Sequence, residues 1–110
     1  MTSPTKRKGN AAERECATLL EDILGYTVKR RYNIGTHDDI GDLVGLPNTI
    51  IQVAHWQDVL RALRDKPLAA GIQARNAGVD HAATFLRLRG GMWRVAQTPE
   101  QWATMWREAQ

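Results

Sequence analysis

The order of helical and strand patterns constrains the fold of this chain more than any other feature. An amphipathic helical pattern comes first and three strand patterns follow; a second helical segment, two strands and a last helix complete the chain. Helices and strands mixed in this order are typical of a sheet covered by helices, not of a bundle or a sandwich. The 110 residues leave room for one such domain, spanning 1–110. We therefore predict a single α/β domain with a central five-stranded mixed sheet flanked by helices.

The first helix is predicted over residues 10–24, and Glu13 is its unusual residue. At about 3.6 residues per turn, Glu13 falls inside an otherwise apolar arc. A carboxylate that faces a core is costly unless it is paired or bound to a cation. Glu13 is therefore a functional residue, the partner of a cation such as Arg30 or Arg31, or a residue at the arc's margin. The apolar arc comprises Ala12, Cys16, Leu19, Leu20, Ile23 and Leu24.

Strands are predicted over residues 26–32, 40–44, 49–54, 82–89 and 92–96, with a turn at residues 45–48 and a hairpin turn at residues 90–91. Alternation along residues 49–54 places Gln52 on the same face as Ile50 and Ala54. If Gln52 has no function, we expect it to be simply a polar residue on a half-exposed face of the sheet. The helical segment 56–77 contains Pro67, and we expect an interruption there because proline ends or restarts a helix.

The last helix begins with a capping signal. Thr98 is the predicted N-cap, Pro99 takes the first helical position, and Gln101 completes the capping box. The face that follows is predicted to be core, with a dimer contact as the alternative. Its residues are Trp102, Met105, Trp106 and Ala109.

Charge is distributed unevenly, although the net charge is only +3. Residues 36–58 carry four acids and no Lys or Arg, whereas residues 61–94 carry seven basic residues against two acids. Basic surfaces hold phosphates and carboxylates hold metal ions, so this pattern suits a metal-dependent nuclease; solvated faces are the alternative. The single cysteine and the absence of a long apolar run favour a cytoplasmic protein without a membrane segment.

Other chemistries have weaker signals. His37, His55 and His81 lack the spacing of a zinc site. His37 with Asp38 and Asp39 is better explained as a solvated loop than as a metal site. The sequence contains no glycine-rich phosphate loop and no nucleophile elbow.

Several segments together carry a resemblance to a known family. Residues 8–15 read KGNAAERE, residues 41–45 read GDLVG, and residues 50–54 read IIQVA. In this order they resemble the K-G-x-x-x-E-R-E opening, the strand aspartate and the third motif of archaeal-type Holliday junction resolvases, which are PD-(D/E)XK nucleases. Gln73 falls near a glutamine that often follows in this family, and Trp93 and Arg94 match its closing strands. The combination also resembles proteins encoded by bacteriophages, which implies the host cytoplasm as the location.

The resemblance implies a restriction-endonuclease-like core that hydrolyses DNA phosphodiesters with Mg²⁺ or Mn²⁺. Carried over by position, Glu13 and Asp42 are metal ligands, Gln52 takes the place of the third motif's acid, and Gln73 joins the catalytic group. Two departures matter: Gln52 lacks the charge of an acid, and Ala54 stands where the family has lysine. Either the site is silent, or neighbouring residues replace the missing groups. The candidates are Asp38 or Asp39 for the carboxylate and His55, Arg64 or Lys66 for the cation.

The resemblance also implies DNA as the partner, four-way junctions included, and a twofold homodimer. Contacts to phosphates give affinity without base readout. The predicted phosphate contacts are Lys6, Arg7, Lys8, Arg30, Arg31, Arg87 and Arg89. The alternative function is a catalytically inactive nuclease fold that serves as a DNA-binding or protein–protein interaction module.

Overall fold

The structure, a computed structural model, describes residues 4–31 and 41–110, with side chains from residue 8 onward. The sheet is five-stranded, open and mixed, which confirms the predicted α/β fold of a single domain. Its elements are α1 Pro4–Leu24, β1 Lys29–Arg30, β2 Leu43–Val44, β3 Thr49–Ala54, α2 Val59–Ala77, β4 His81–Arg87, β5 Trp93–Ala96 and α3 Pro99–Glu108.

The strands lie in their chain order, β1-β2-β3-β4-β5. β3 and β4 are parallel and align over six residue pairs, from Thr49 with His81 to Ala54 with Leu86. The other neighbours are antiparallel, and β2 aligns with β3 only at Leu43 and Ile51. Because α2 connects the two parallel strands, β3, α2 and β4 form the crossover unit expected for such a pair.

Helices cover the two faces of the sheet. α1 places Cys16 and Leu20 against Ile51 and Val53 in the larger apolar cluster. α2 covers the opposite face through two smaller clusters, one containing Ala70, Ala74, Ile50 and Ala82, the other Ala62, Ala54 and Leu86. Alanine on the helix allows α2 to lie close to the strands.

The expected interruption at Pro67 was wrong, because α2 continues through it. An interior proline costs about 3 kcal/mol in an isolated helix. Here Ala62 before it and Ala70 after it are fully buried on the same sheet face, and ending the helix would expose one of the two clusters. Pro67 is itself buried, and its carbonyl accepts a hydrogen bond from Gln101 Nε2 at 2.7 Å.

Other boundaries moved in both directions. α1 begins at Pro4 instead of residue 10, since proline is tolerated in a first helical turn. The strand predicted over residues 26–32 is reduced to Lys29–Arg30 among the described residues, because β2 offers only two partners. β4 is His81–Arg87, β5 begins at Trp93, and position 40 lies outside the described residues.

The start of α3 was predicted correctly but its apolar face was not. Thr98 is the N-cap of a complete capping box with Gln101. Trp102 is 59% exposed and Trp106 52% exposed, so this face is not core. α3 is attached instead by Gln101, which reaches Pro67, and by Met105, whose sulfur accepts from Gln97 Nε2 at 2.9 Å. No helix in the described ranges is long and apolar enough to cross a membrane.

Candidate functional site

Glu13 of α1 has the cationic partner that its position requires. Its Oε1 accepts a hydrogen bond from Arg30 Nε at 2.6 Å, and the Glu13 side chain is 19% exposed. Arg30 also donates from Nη2 to Asn10 Oδ1 at 2.7 Å. The pair therefore fixes the Glu13 carboxylate between α1 and β1.

The pKa of Glu13 responds to the charges of Asp42, Arg30 and Lys66, so these groups lie near its carboxylate. Burial raises the pKa of Glu13 above its ordinary value, and the charge of Asp42 raises it further. The hydrogen bond from Arg30 and the charge of Lys66 act in the opposite direction, but the net pKa remains raised. Two carboxylates and a lysine therefore share one neighbourhood, which is an arrangement typical of functional sites.

Asp42 is fixed at the point where β2 begins. Its backbone N–H donates to Ile51 O at 2.8 Å, and its side-chain Oδ2 accepts from the N–H of Val53 at 2.7 Å. Gly41 makes this approach possible: its φ is 99°, and a Cβ there would lie 3.1 Å from the Ile51 carbonyl oxygen. The Asp42 carboxylate is thus held against β3, and the antiparallel register places Asp42 directly opposite Gln52.

Gln52 is 2% exposed, so the expectation of a half-exposed sheet position was wrong. Both faces of β3 are covered, and Gln52 lies under α2. Lys66 Nζ donates to Gln52 Oε1 at 2.9 Å, and Gln52 Nε2 donates to Gln73 Oε1. Because an ammonium has only donors, the bond from Lys66 requires the oxygen of Gln52 to face it, and this leaves the amide nitrogen for Gln73.

The predicted site residues Glu13, Asp42, Gln52 and Gln73 are therefore gathered around one place. Of the three cations proposed to replace the missing lysine, His55, Arg64 and Lys66, only Lys66 contacts this group of residues. It also lies 5.8 Å from the centroid of the Trp56 ring. Arg64 instead pairs with Asp65 at 2.8 Å on the exposed side of α2. Asp38 and Asp39 lie outside the described residues.

The donor set suits a hard cation in chemical type. Glu13 and Asp42 offer carboxylate oxygens and Gln52 an amide oxygen, and Mg²⁺ prefers oxygen ligands. Across the ranges that the structure covers, no three His, Cys, Asp or Glu side chains are grouped closely enough to hold a metal ion. A metal site here therefore needs the neutral oxygen of Gln52 or a carboxylate from residues 32–40.

The predicted phosphate contacts fall into different surroundings. Lys8 and Arg89 are exposed, Arg31 is half-buried, and Arg30 is turned towards Glu13. Arg87 is bound by Glu15, with 3.1 Å from its Nε to each carboxylate oxygen. The side chains of Lys6 and Arg7 lie outside the described residues.

Sequence reasoning missed the polar cluster of Glu15, His55, Arg87 and Trp93. His55 Nε2 lies 3.5 Å from Arg87 Nη1, and Trp93 Nε1 donates to Glu15 Oε1 at 2.8 Å. A signal was present, since His55 directly follows the predicted strand 49–54 and Arg87 lies near the end of the predicted strand 82–89, on either side of a helix. Neighbouring parallel strands bring such ends together.

An apolar surface lies away from these polar groups. The rings of Trp102 and Trp106 are stacked with centroids 6.4 Å apart, and both are exposed. Beside α3, a groove of about 650 Å³ opens towards α1, lined largely by apolar side chains that include Leu20, Phe85 and Met105.

Comparisons of the chain with protein-family models, with curated proteins and with solved structures found no match in any of the three. Two observations therefore bear on function: the motif resemblance, and the meeting of Glu13, Asp42, Gln52 and Lys66.

Proposed function

We propose that this chain is a Holliday junction resolvase-like protein of the PD-(D/E)XK type that binds branched or duplex DNA and hydrolyses its phosphodiester bonds. A cytoplasmic location, in the host if the chain is phage-encoded, is part of the proposal. The observation that carries it is the meeting of Glu13, Asp42, Gln52 and Lys66, drawn from α1, β3, α2 and the start of β2. These are three of the motif positions and one cation, gathered at one end of the sheet.

Lys66 takes the role of the family's lysine, whose position is occupied here by Ala54. A lysine at position 54 would project from β3 onto the face covered by α2. Lys66 reaches the same face from α2. Its ammonium lies 2.9 Å from Gln52 Oε1, and its charge lowers the pKa of Glu13. In this position it can orient the attacking water or stabilise charge on the phosphorus.

Glu13, Asp42 and Gln52 would hold Mg²⁺ or Mn²⁺ through their oxygens, with Asp39 as a further predicted ligand. The metal supplies polarisation of the phosphodiester and a more acidic bound water. The raised pKa of Glu13 fits this assignment, because burial and the charge of Asp42 disfavour its ionised form and a cation would relieve both effects. The neutral Gln52 makes metal binding weaker than a third carboxylate would.

The other two residues act by positioning. Arg30 fixes the Glu13 carboxylate, and Gln73 accepts from Gln52 Nε2, which keeps Gln52 Oε1 directed towards Lys66. Neither residue needs to touch the substrate for its loss to lower the rate.

The test uses a labelled four-way junction and a matched linear duplex, each incubated with Mg²⁺, Mn²⁺ or EDTA. We expect metal-dependent nicks that Glu13→Gln abolishes and that Lys66→Met slows by about 10²–10³-fold. Arg75→Gln is the matched control, since Arg75 lies exposed in the last turn of α2. Cleavage that survives Glu13→Gln would show that the nicks come from another site.

A second candidate, a catalytically inactive nuclease fold used for DNA binding or protein contact, is favoured by the exposed Trp102–Trp106 stack. In that case the stack and the groove beside α3 would form an interface, including that of the implied homodimer. Junction binding that weakens steeply with salt, without nicks, supports retention of DNA binding alone. Indifference to DNA, together with a dimer that Trp106→Ala dissociates in sedimentation, supports protein contact.

A further inference from the structure

A second polar site lies at the carboxyl ends of the two parallel strands, on the face covered by α1. Ala54 of β3 aligns with Leu86 of β4, so the residues that follow, His55 and Arg87, stand side by side. Their nitrogens, His55 Nε2 and Arg87 Nη1, are 3.5 Å apart. In open α/β sheets this edge is where ligands usually bind.

Arg87 is held in place from two directions. Glu15 accepts from Arg87 Nε at 3.1 Å and from Trp93 Nε1 at 2.8 Å, which joins α1 to the last two strands. On the other side, a Cβ at Gly91 would lie 3.2 Å from Arg87 Nη2, so the glycine leaves the space that the guanidinium occupies. The guanidinium is therefore pre-oriented beside His55.

The charges around His55 are mostly positive. Lys8 lies two helical turns before Glu15, on the same side of α1. Burial lowers the pKa of His55, and the charges of Lys8 and Arg87 lower it further, while only Glu15 raises it. A neutral imidazole thus faces two cations and one carboxylate, and that carboxylate is already engaged by Arg87 and Trp93. An anion would complete this set.

We propose that Lys8, His55 and Arg87 form a binding site for a phosphate group of the DNA backbone, at which His55 takes up a proton as the anion binds. The identity of the anion as DNA rests on the proposed function; the anion site itself does not. Glu13 and Glu15 lie about 200° apart around α1. The phosphate site therefore lies on the opposite side of α1 from the Glu13 carboxylate and anchors the strand away from the reacting group.

The first test needs no DNA. The histidine ring protons are followed by NMR from about pH 5 to about pH 8 in sulfate, in dimethyl phosphate, and in chloride at equal ionic strength. Neither sulfate nor the phosphodiester changes charge near neutral pH, so any shift belongs to the protein. We expect the pKa of His55 to rise by about one unit in either anion, which by linkage means about tenfold tighter binding to the protonated form.

His81 is the internal control in this test, because it is paired with Glu108 at the other end of β4. His55→Gln assigns the signal. A pKa of His55 that is indifferent to both anions, or a shift of equal size at His81, would overturn the proposal.

The second test replaces the small anions by a short duplex. Wild-type affinity should increase several-fold from about pH 8 to about pH 6, His55→Gln and His55→Asn should lose that dependence, and His81→Gln should keep it. DNA binding with an unchanged pH dependence in both His55 variants overturns the anion site and leaves the proposed function intact. Anion binding at His55 in a protein that neither binds nor cuts DNA supports the site and overturns the proposed function.

Discussion

The buried amide pair of Gln52 and Gln73 allows the interior of the candidate site to be tested by stability. Gln52 is 2% exposed and Gln73 6% exposed, and Gln52 Nε2 donates to Gln73 Oε1. Gln73→Leu keeps a similar volume but leaves the Gln52 N–H group away from water without its acceptor. A buried polar group left unpaired costs about 1–3 kcal/mol, so we expect the free energy of unfolding to fall by about 2 kcal/mol.

The double variant separates pairing from packing. Gln52→Leu leaves the Gln73 oxygen without its donor and Lys66 without its acceptor. We expect it to lower the free energy of unfolding by a similar amount. Replacing both glutamines by leucine removes both amides of the pair, which is often nearly neutral, and leaves only Lys66 without its acceptor. We therefore expect the double variant to be more stable than the sum of the single losses implies, by about 1–2 kcal/mol.

Urea unfolding followed by tryptophan fluorescence measures these differences, since the chain has four tryptophans. With a denaturant dependence of about 1–3 kcal/mol per molar for a small domain, a loss of 2 kcal/mol moves the midpoint by about 1 M. Gln110→Leu, at the exposed end of the chain, is the control and should change stability by less than about 0.5 kcal/mol. Single losses that add without any coupling would refute the buried hydrogen bond.

Four further predictions concern other positions. Gly45→Ala should cost roughly 3 kcal/mol in the same urea assay, because φ at this glycine is 123° and a Cβ would collide with the carbonyl of Thr27; Gly78→Ala, in open space, should cost only about 1 kcal/mol. Burial raises the pKa of the Cys16 thiol to about 12, so a thiol reagent at neutral pH should label Cys16 only after denaturation, and rapid labelling of the folded protein would contradict its burial. Because the pKa of Glu13 is raised in the folded state, its ionisation opposes folding, and Glu13→Gln should be more stable than the wild type at neutral pH. This advantage should disappear as the pH falls below the ordinary carboxyl range, and thermal unfolding at a series of pH values measures it. Added Mg²⁺ should raise the Tm of the wild type more than that of Glu13→Gln, and equal shifts would count against Glu13 as a ligand.

The parts of the fold that carry a local signal were predictable from sequence. The capping box at Thr98, the glycine hairpin and the six residues of β3 all depend on neighbours in the chain. Pro67 and the tryptophans of α3 were misjudged because tertiary contacts decide them. Two alanine clusters outweigh the proline, and attachment through Gln101 leaves the tryptophan face in solvent.

The candidate site was predictable in composition but not in arrangement. The motif positions identified Glu13, Asp42 and Gln52, and Arg30 was one of two cations considered for Glu13. The choice of Lys66 over Arg64 depends on the rotation of α2 against β3. No local pattern fixes that rotation, since Lys66 and Arg64 are both polar residues beside the same apolar stripe.

Strand pairing is extensive between β3 and β4 but short between β1, β2 and β3, and the candidate site includes residues from both parts of the sheet. β3 and β4 share six aligned pairs, whereas β1 and β2 share two and β2 and β3 only one. Regions with few pairings open locally at lower free energy than a buried central pair. Asp42 belongs to the weak edge and Gln52 to the strong centre, so a ligand held by both uses part of its binding free energy to close that edge. Binding would then appear in hydrogen exchange as slower amides in β1 and β2, with β3 and β4 unchanged.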